Sequence, residues 1–169
     1  MIIAHRLSTV RTADRSITEV NQFIEETRQD VASGKFKEHF EQSHHYYLQD
    51  WQIDHLDDRV VSMHCLNYMF TGGAHANYGY QSQNYGAREG KAVALGLSDL
   101  FRPGSDWLEV MRPLLVKGLT EAGAEWVPKP GDKDYEENLS EEALSAFTIA
   151  PPGLTFYFGP YQFGPYARG

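Results

Sequence analysis

From Ser16 onward, Ile17, Val20, Phe23, Ile24 and Thr27 share one face of a helix. Ser16 can cap that helix, Glu19 three residues on completes a capping box, and Gly34 offers a stop, although Phe36 and Phe40 can extend or restart it. The period then changes to two. Between His44 and His55, the residues Tyr47, Gln49, Trp51 and Ile53 alternate with Leu48, Asp50 and Gln52, which predicts a strand. Asp57–Asp58 supplies turn chemistry, and Val60 to Phe70 is the strongest strand signal in the chain. Gly72–Gly73 breaks it. Tyr78 to Tyr85 resumes as a third strand, most economically antiparallel to the second, and Gly90 ends the hairpin. Leu97 to Phe101 predicts a short helical turn leading into Arg102-Pro103-Gly104. A second long helix starts at Ser105 or Asp106, with Leu108, Met111, Leu115 and Leu119 on one side; Pro113 should bend it or mark its true start. Residues 126–138 read as loop, Ser140 to Phe147 as a short helix and Leu154 to Phe158 as a strand before a tail rich in Gly, Pro and Tyr. Together these elements predict an α+β fold with one antiparallel sheet and the helices from Ser16 and Ser105 packed on one face.

A chain of 169 residues fits a single domain, and its aromatic share of 13% agrees with pleated, half-buried surfaces. The net charge of −8 speaks against a duplex-binding protein and gives no pull toward an anionic membrane surface. Neither nucleic acid nor membrane insertion is expected. Cys65 is the only cysteine, so no internal disulfide and no thiolate zinc cluster can form, and inside its apolar run it reads as a small core residue. Met1 opens a mixed segment with His5, Arg6 and Arg11, unlike the basic end and apolar core of a signal peptide.

The segment Thr71 to Asn77 is the most distinctive local chemistry. Gly72 and Gly73 let a backbone approach a ligand closely, and His75 and Asn77 can hydrogen-bond it; the same glycines also suit a bulge or bend that His75 pins. In the tail, Tyr157, Tyr161, Phe163 and Tyr166, spaced by glycine and proline, can either present a rigid surface to a protein or glycan or pack the last strand on the core. These two segments supply the candidate binding residues Gly72, Gly73, His75, Asn77, Tyr157, Tyr161 and Tyr166. His64 and Cys65 are neighbours on a strand, point to opposite faces and cannot share an ion, and no metal or cofactor is expected. The carboxylates Asp50, Asp54, Asp57 and Asp58 read as solvated turn chemistry, no G-x-S-x-G turn anchors a serine nucleophile, and no catalytic residue is assigned.

Three ordered segments carry a resemblance. They are Phe70-Thr71-Gly72-Gly73-Ala74-His75-Ala76-Asn77, followed by Tyr85 and Glu89-Gly90-Lys91; Leu97-Ser98-Asp99-Leu100-Phe101-Arg102-Pro103-Gly104-Ser105; and Leu154 to Ala167. Together they resemble the domain of unknown function 3298 family, over roughly residues 16–169. Residues 16–55 resemble the companion domain, of unknown function 4163, that usually precedes it. Members include the outer parts of lysozyme-sensing anti-sigma factors, accessory domains of peptidoglycan deacetylases and envelope lipoproteins. The resemblance implies an extracytoplasmic, noncatalytic recognition domain of the bacterial envelope whose partner is an envelope protein or a peptidoglycan fragment. The other reading is an accessory or hydrolytic domain acting on peptidoglycan, with His75 as general base. The resemblance also implies one more strand after Gly169. Residues 1–15 stand apart: Ile2 to Arg15 resembles the switch-histidine segment of ABC transporter ATPases, with His5 at the histidine position, yet the chain has no G-x-x-x-x-G-K-[ST] phosphate loop for it to serve. Deleting residues 1–15 should leave the melting temperature almost unchanged; a drop of many degrees would make them part of the fold.

Overall fold

The computed structural model describes residues 18, 21–26, 28–29, 32–33, 45–72 and 74–166. Ser16, Glu19, Gly34, His44, Gly73, the whole 1–15 segment and the last three residues lie outside them. The main sheet has the order β1-β2-β3-β4, formed by Tyr46–Leu56, Val60–Phe70, Asn77–Arg88 and Lys91–Ala94, antiparallel throughout. The first three strands follow the alternation in the sequence, and β2 has the expected limits. Asp57 closes the β1–β2 turn by accepting the N–H groups of Arg59 and Val60 at 2.8 and 2.7 Å. Those two bonds, with a smaller contribution from His55, draw its carboxyl down to about 2.

A second sheet of two strands, β5 (Phe147–Ala150) and β6 (Gly153–Phe156), joins the expected single sheet, so the α+β class holds with one sheet more. Residues 140–144 form a single turn, held by Leu144 N–H on the Ser140 carbonyl, in place of the short helix expected from Ser140 to Phe147. The β-branched pair Thr148–Ile149 then carries the chain into β5. Within the stretch expected to be loop, Tyr135–Asn138 forms a short helix, α2.

The long helix, α1 (Trp107–Glu121), runs unbroken through Pro113, which faces solvent. Its buried residues Leu115 and Leu119 join Leu97, Leu139, Leu144, Phe147 and Phe163 in the apolar core. That core lies between α1 and the β5–β6 hairpin, so α1 packs on the small sheet and not directly on the large one. The helical residue Phe23 touches Tyr47, ring centroids 5.6 Å apart. Tyr47 pairs with Met69, and alternation along β2 places both on the face opposite Ser62 and His64. The two helices therefore serve different surfaces, in place of the common face expected.

The hairpin is attached to the large sheet by polar side chains. Within β5–β6 the backbone groups of Phe147 and Ile149 point away from β6, as alternate residues of an antiparallel pair must. They meet the sheet face edge-on. Ile149 N–H donates to Ser62 Oγ at 2.7 Å, Phe147 N–H donates to Ser82 Oγ at 3.0 Å, and Asn84 Nδ2 donates to the Phe147 carbonyl at 2.9 Å. Ser82 Oγ in turn donates to the Ser145 carbonyl at 3.1 Å, and Ser62 Oγ donates to Asn84 Oδ1 at 2.5 Å. Ser62 is fully buried and Asn84 nearly so.

Replacing Ser62 by Ala strands the Ile149 N–H and Asn84 Oδ1 in a dry seam. The expected loss is about 1–3 kcal/mol of unfolding free energy, read from urea midpoints at constant slope. An unchanged midpoint would mean that the seam does not hold the hairpin.

Candidate binding surface

The face of β1–β3 that carries the seam becomes aromatic toward the loop at Gly72. Its positions there are Tyr46, Leu48 and Asp50 on β1, Leu66, Tyr68 and Phe70 on β2, and Tyr78 and Tyr80 on β3, set on one side by strand alternation and register. Asp50 is the one charged residue among them. Tyr46 stacks with Tyr68 and Phe70 at 5.9 and 5.6 Å, Tyr68 with Tyr78 at 6.5 Å, and Tyr78 meets Tyr80 edge-on at 6.2 Å.

The tail expected to be aromatic lies across this face. Tyr157 packs on Tyr80 at 5.4 Å; Tyr166 packs edge-on to Tyr78 at 5.6 Å and stacks with His75 at 4.0 Å. The Ala76 carbonyl accepts from both the Tyr166 hydroxyl at 2.7 Å and His75 Nδ1 at 3.0 Å, which puts the His75 proton on Nδ1 and leaves Nε2 as an acceptor. Phe163 anchors the same segment from the core side: its ring is buried and its carbonyl accepts the N–H groups of Glu125 and Trp126. Structure thus joins His75, Tyr161 and Tyr166 directly and Tyr157 through Tyr80. Gly72, with φ of 90°, makes the bend before His75, a conformation that glycine adopts without strain. Asn77 opens β3 opposite Met69, so its side chain belongs to the other face and stands apart from these rings.

Tyr161 is the outlier. Its ring lies 6.0 Å from that of Tyr166, yet the residue is 55% exposed. It occupies the third position of a turn closed by Gln162 N–H on the Gly159 carbonyl, with Pro160 second and φ of 67° at Tyr161. Glycine or asparagine is usual there, and a residue with a Cβ gives up roughly 1–2 kcal/mol in that conformation. Burial of the ring does not offset the strain.

A second constellation escaped the sequence reading. His64 Nδ1 donates to Asp54 Oδ2 at 2.6 Å, the Tyr157 hydroxyl donates to Asp54 Oδ1 at 3.1 Å, and the Tyr157 and His64 rings stack at 4.3 Å. Asp54 continues the alternation of Asp50 and Gln52, and Gln52 pairs with His64, so Asp54 lies on the face of His64 next to the register shift between Ile53 and His55. Expected turn chemistry is therefore a carboxylate that orients an imidazole. Its neighbour Cys65 is fully buried on the opposite face, beside Trp51 and Gln81. An open groove of about 500 Å³ lined by Ser82, Asn84, Glu141 and Ser145 borders the seam, but Ser82 and Asn84 there are committed to β5.

Residues 98–169 match the family model described as "Protein of unknown function (DUF3298)", and residues 9–78 match the one described as "Deacetylase PdaC". The second match begins inside the segment set apart above and covers β1 and β2. Among solved structures, a DUF3298 family protein from Pseudomonas aeruginosa PAO1 superposes with a TM-score of 0.51 at 19% identity, over 80% of this chain and 60% of that one. At that identity the likeness is one of fold, and this chain spans less than two thirds of that protein. No curated protein matches the chain. Both family matches point to a domain associated with the cell envelope. Among the described residues, no helix is long and apolar enough to cross a membrane.

The rings shift their own titration. Lost hydration is the leading cause for Tyr46, Tyr78, Tyr157 and Tyr166, with neighbouring phenols adding for Tyr46, Tyr78 and Tyr166 and Asp54 for Tyr157, and all four hydroxyls are pushed above 10. A phenol whose folded value is raised contributes stability that is whole below its unfolded value, near 10, and disappears as pH rises through the raised one. Phenolate absorbance of the folded chain should therefore show these four of the ten tyrosines ionising late, and unfolding should advance the signal. All ten titrating together near pH 10 would contradict the packing described.

Proposed function

Taking the DUF3298 and PdaC matches as premise, we propose that this chain is a noncatalytic recognition module of the bacterial cell envelope, working outside the cytoplasm. It takes a wall glycan or a lysozyme-like protein on the aromatic end of its sheet face. The observation that carries this reading is the ring set from Tyr46 to Tyr166, with its 45% exposed rim at Tyr46 and its exposed, strained Tyr161. Aromatic side chains supply large contact area at small entropic cost, and phenol hydroxyls add hydrogen bonds at the rim. The net charge of −8 suits a basic protein as the alternative partner.

A hydrolytic or accessory reading draws on Asp54–His64, because an imidazole oriented through Nδ1 has Nε2 available as a base. His75, the general base expected from the sequence, stacks on Tyr166 and bonds a backbone carbonyl. The hydroxyls beside His64 on the same face, Ser62 and Ser82, are engaged by β5, so neither is poised as a nucleophile.

The purified chain should bind either lysozyme or solubilised peptidoglycan fragments in calorimetry, while mass spectrometry shows the fragments unaltered. His64→Ala should leave that binding intact. Product that accumulates with the native chain and vanishes with His64→Ala would replace this reading by the hydrolytic one.

A further inference from the structure

The geometry points to Tyr161 as the anchor residue of a subsite for a neutral glycan strand, which rests on the recognition reading above and names its ligand class. Three observations converge. Tyr161 holds a backbone conformation unfavourable to an aromatic side chain, with φ of 67°, while more than half of its surface stays in solvent. The fold therefore maintains a strained aromatic that its own packing does not require, a pattern that marks ligand-binding positions. The strain is also well supported: Pro160 fixes the preceding residue, Gln162 Oε1 accepts the Gly159 N–H at 3.3 Å, and the adjacent Tyr166 is tied to Ala76.

The surface that Tyr161 extends selects the ligand. Tyr161, Tyr166, Tyr78 and Tyr68 follow one another at 5.6–6.5 Å, leading to the exposed Tyr46. Pyranose rings carry apolar C–H faces that pack on aromatic faces and hydroxyl edges that bond phenols. A basic protein would be held best by carboxylates among the rings, and the strand positions of this region offer only Asp50. An anionic polymer would need arginine or lysine there, and those positions hold neither. An uncharged, N-acetylated sugar chain fits what is present.

The test separates the ring from the backbone that carries it. Tyr161→Gly removes the ring and relieves the strain, Tyr161→Asn removes the ring but tolerates the same φ, and Tyr161→Phe keeps both ring and strain. Calorimetry with an N-acetylglucosamine hexasaccharide should show affinity falling by about tenfold or more in the Gly and Asn variants, and little change in Phe. The melting temperature of Tyr161→Gly should equal or exceed that of the native chain. A lower melting temperature would assign the ring to the fold and overturn the inference, as would unchanged glycan affinity in both ring-deleted variants. If the native chain binds lysozyme and no glycan, this inference fails while the recognition reading stands; binding of neither ends both.

Discussion

The whole arrangement depends on the unpaired backbone edge of β5. A strand buried on one side by β6 must still satisfy the outward N–H and C=O groups of its alternate residues, and leaving one dry costs more than most single contacts return. Here a third strand is replaced by the side chains Ser62, Ser82 and Asn84, which rise from the face of another sheet and bond Phe147, Ile149 and Ser145. That substitution fixes the hairpin edge-on to the face. It aims the Phe147 side chain into the core with Leu115 and Leu119, and it sends the chain after β6 along the remaining part of the face. The aromatic surface exists because the tail leaves the seam in that direction.

The face is consequently divided along its length. Beneath β5 it is polar and closed. At its centre Asp54, His64 and Tyr157 form a bonded, stacked group, and beyond Tyr80 it is a run of phenols ending in exposed rims. Polar chemistry near the seam serves cohesion, whereas the rings farther out have neighbours on one side and water on the other. The C-terminal segment links the two regions by three attachments, at Tyr157, Phe163 and Tyr166, and holds Tyr161 between the last two.

Strands β1–β3 were legible because one period governs them and their residues alternate as a pleat requires. Strand β4 is four residues at an edge, too short for a period to register, and β5 follows a Glu-Glu-Ala-Leu stretch that favours helix locally. The seam was illegible for a different reason: Ser62 and Asn84 look like ordinary polar alternates, and their partners lie far along the chain. His75, Tyr161 and Tyr166 stood out by their glycine and proline surroundings. Their ring partners did leave a signal, since Tyr68, Phe70, Tyr78 and Tyr80 all sit at even positions in paired strands. Asp54 shares the alternation of Asp50 and Gln52, but its bond to His64 was hidden because the pairing register of β1 with β2, which the pattern does not give, decides what it meets.

The seam also sets an order of events. Its bonds to the hairpin segment join residues 63–87 positions apart, so each requires the closure of a long loop before it returns anything. The hairpin by itself is two strands of four residues, marginal in water. Its docking surface, by contrast, is assembled by the local β2–β3 pairing. The small sheet is thus a passenger of the large one: the β5 edge acquires its bonds only on a face already formed, and any loosening of β2 against β3 releases the amides of Phe147 and Ile149 first.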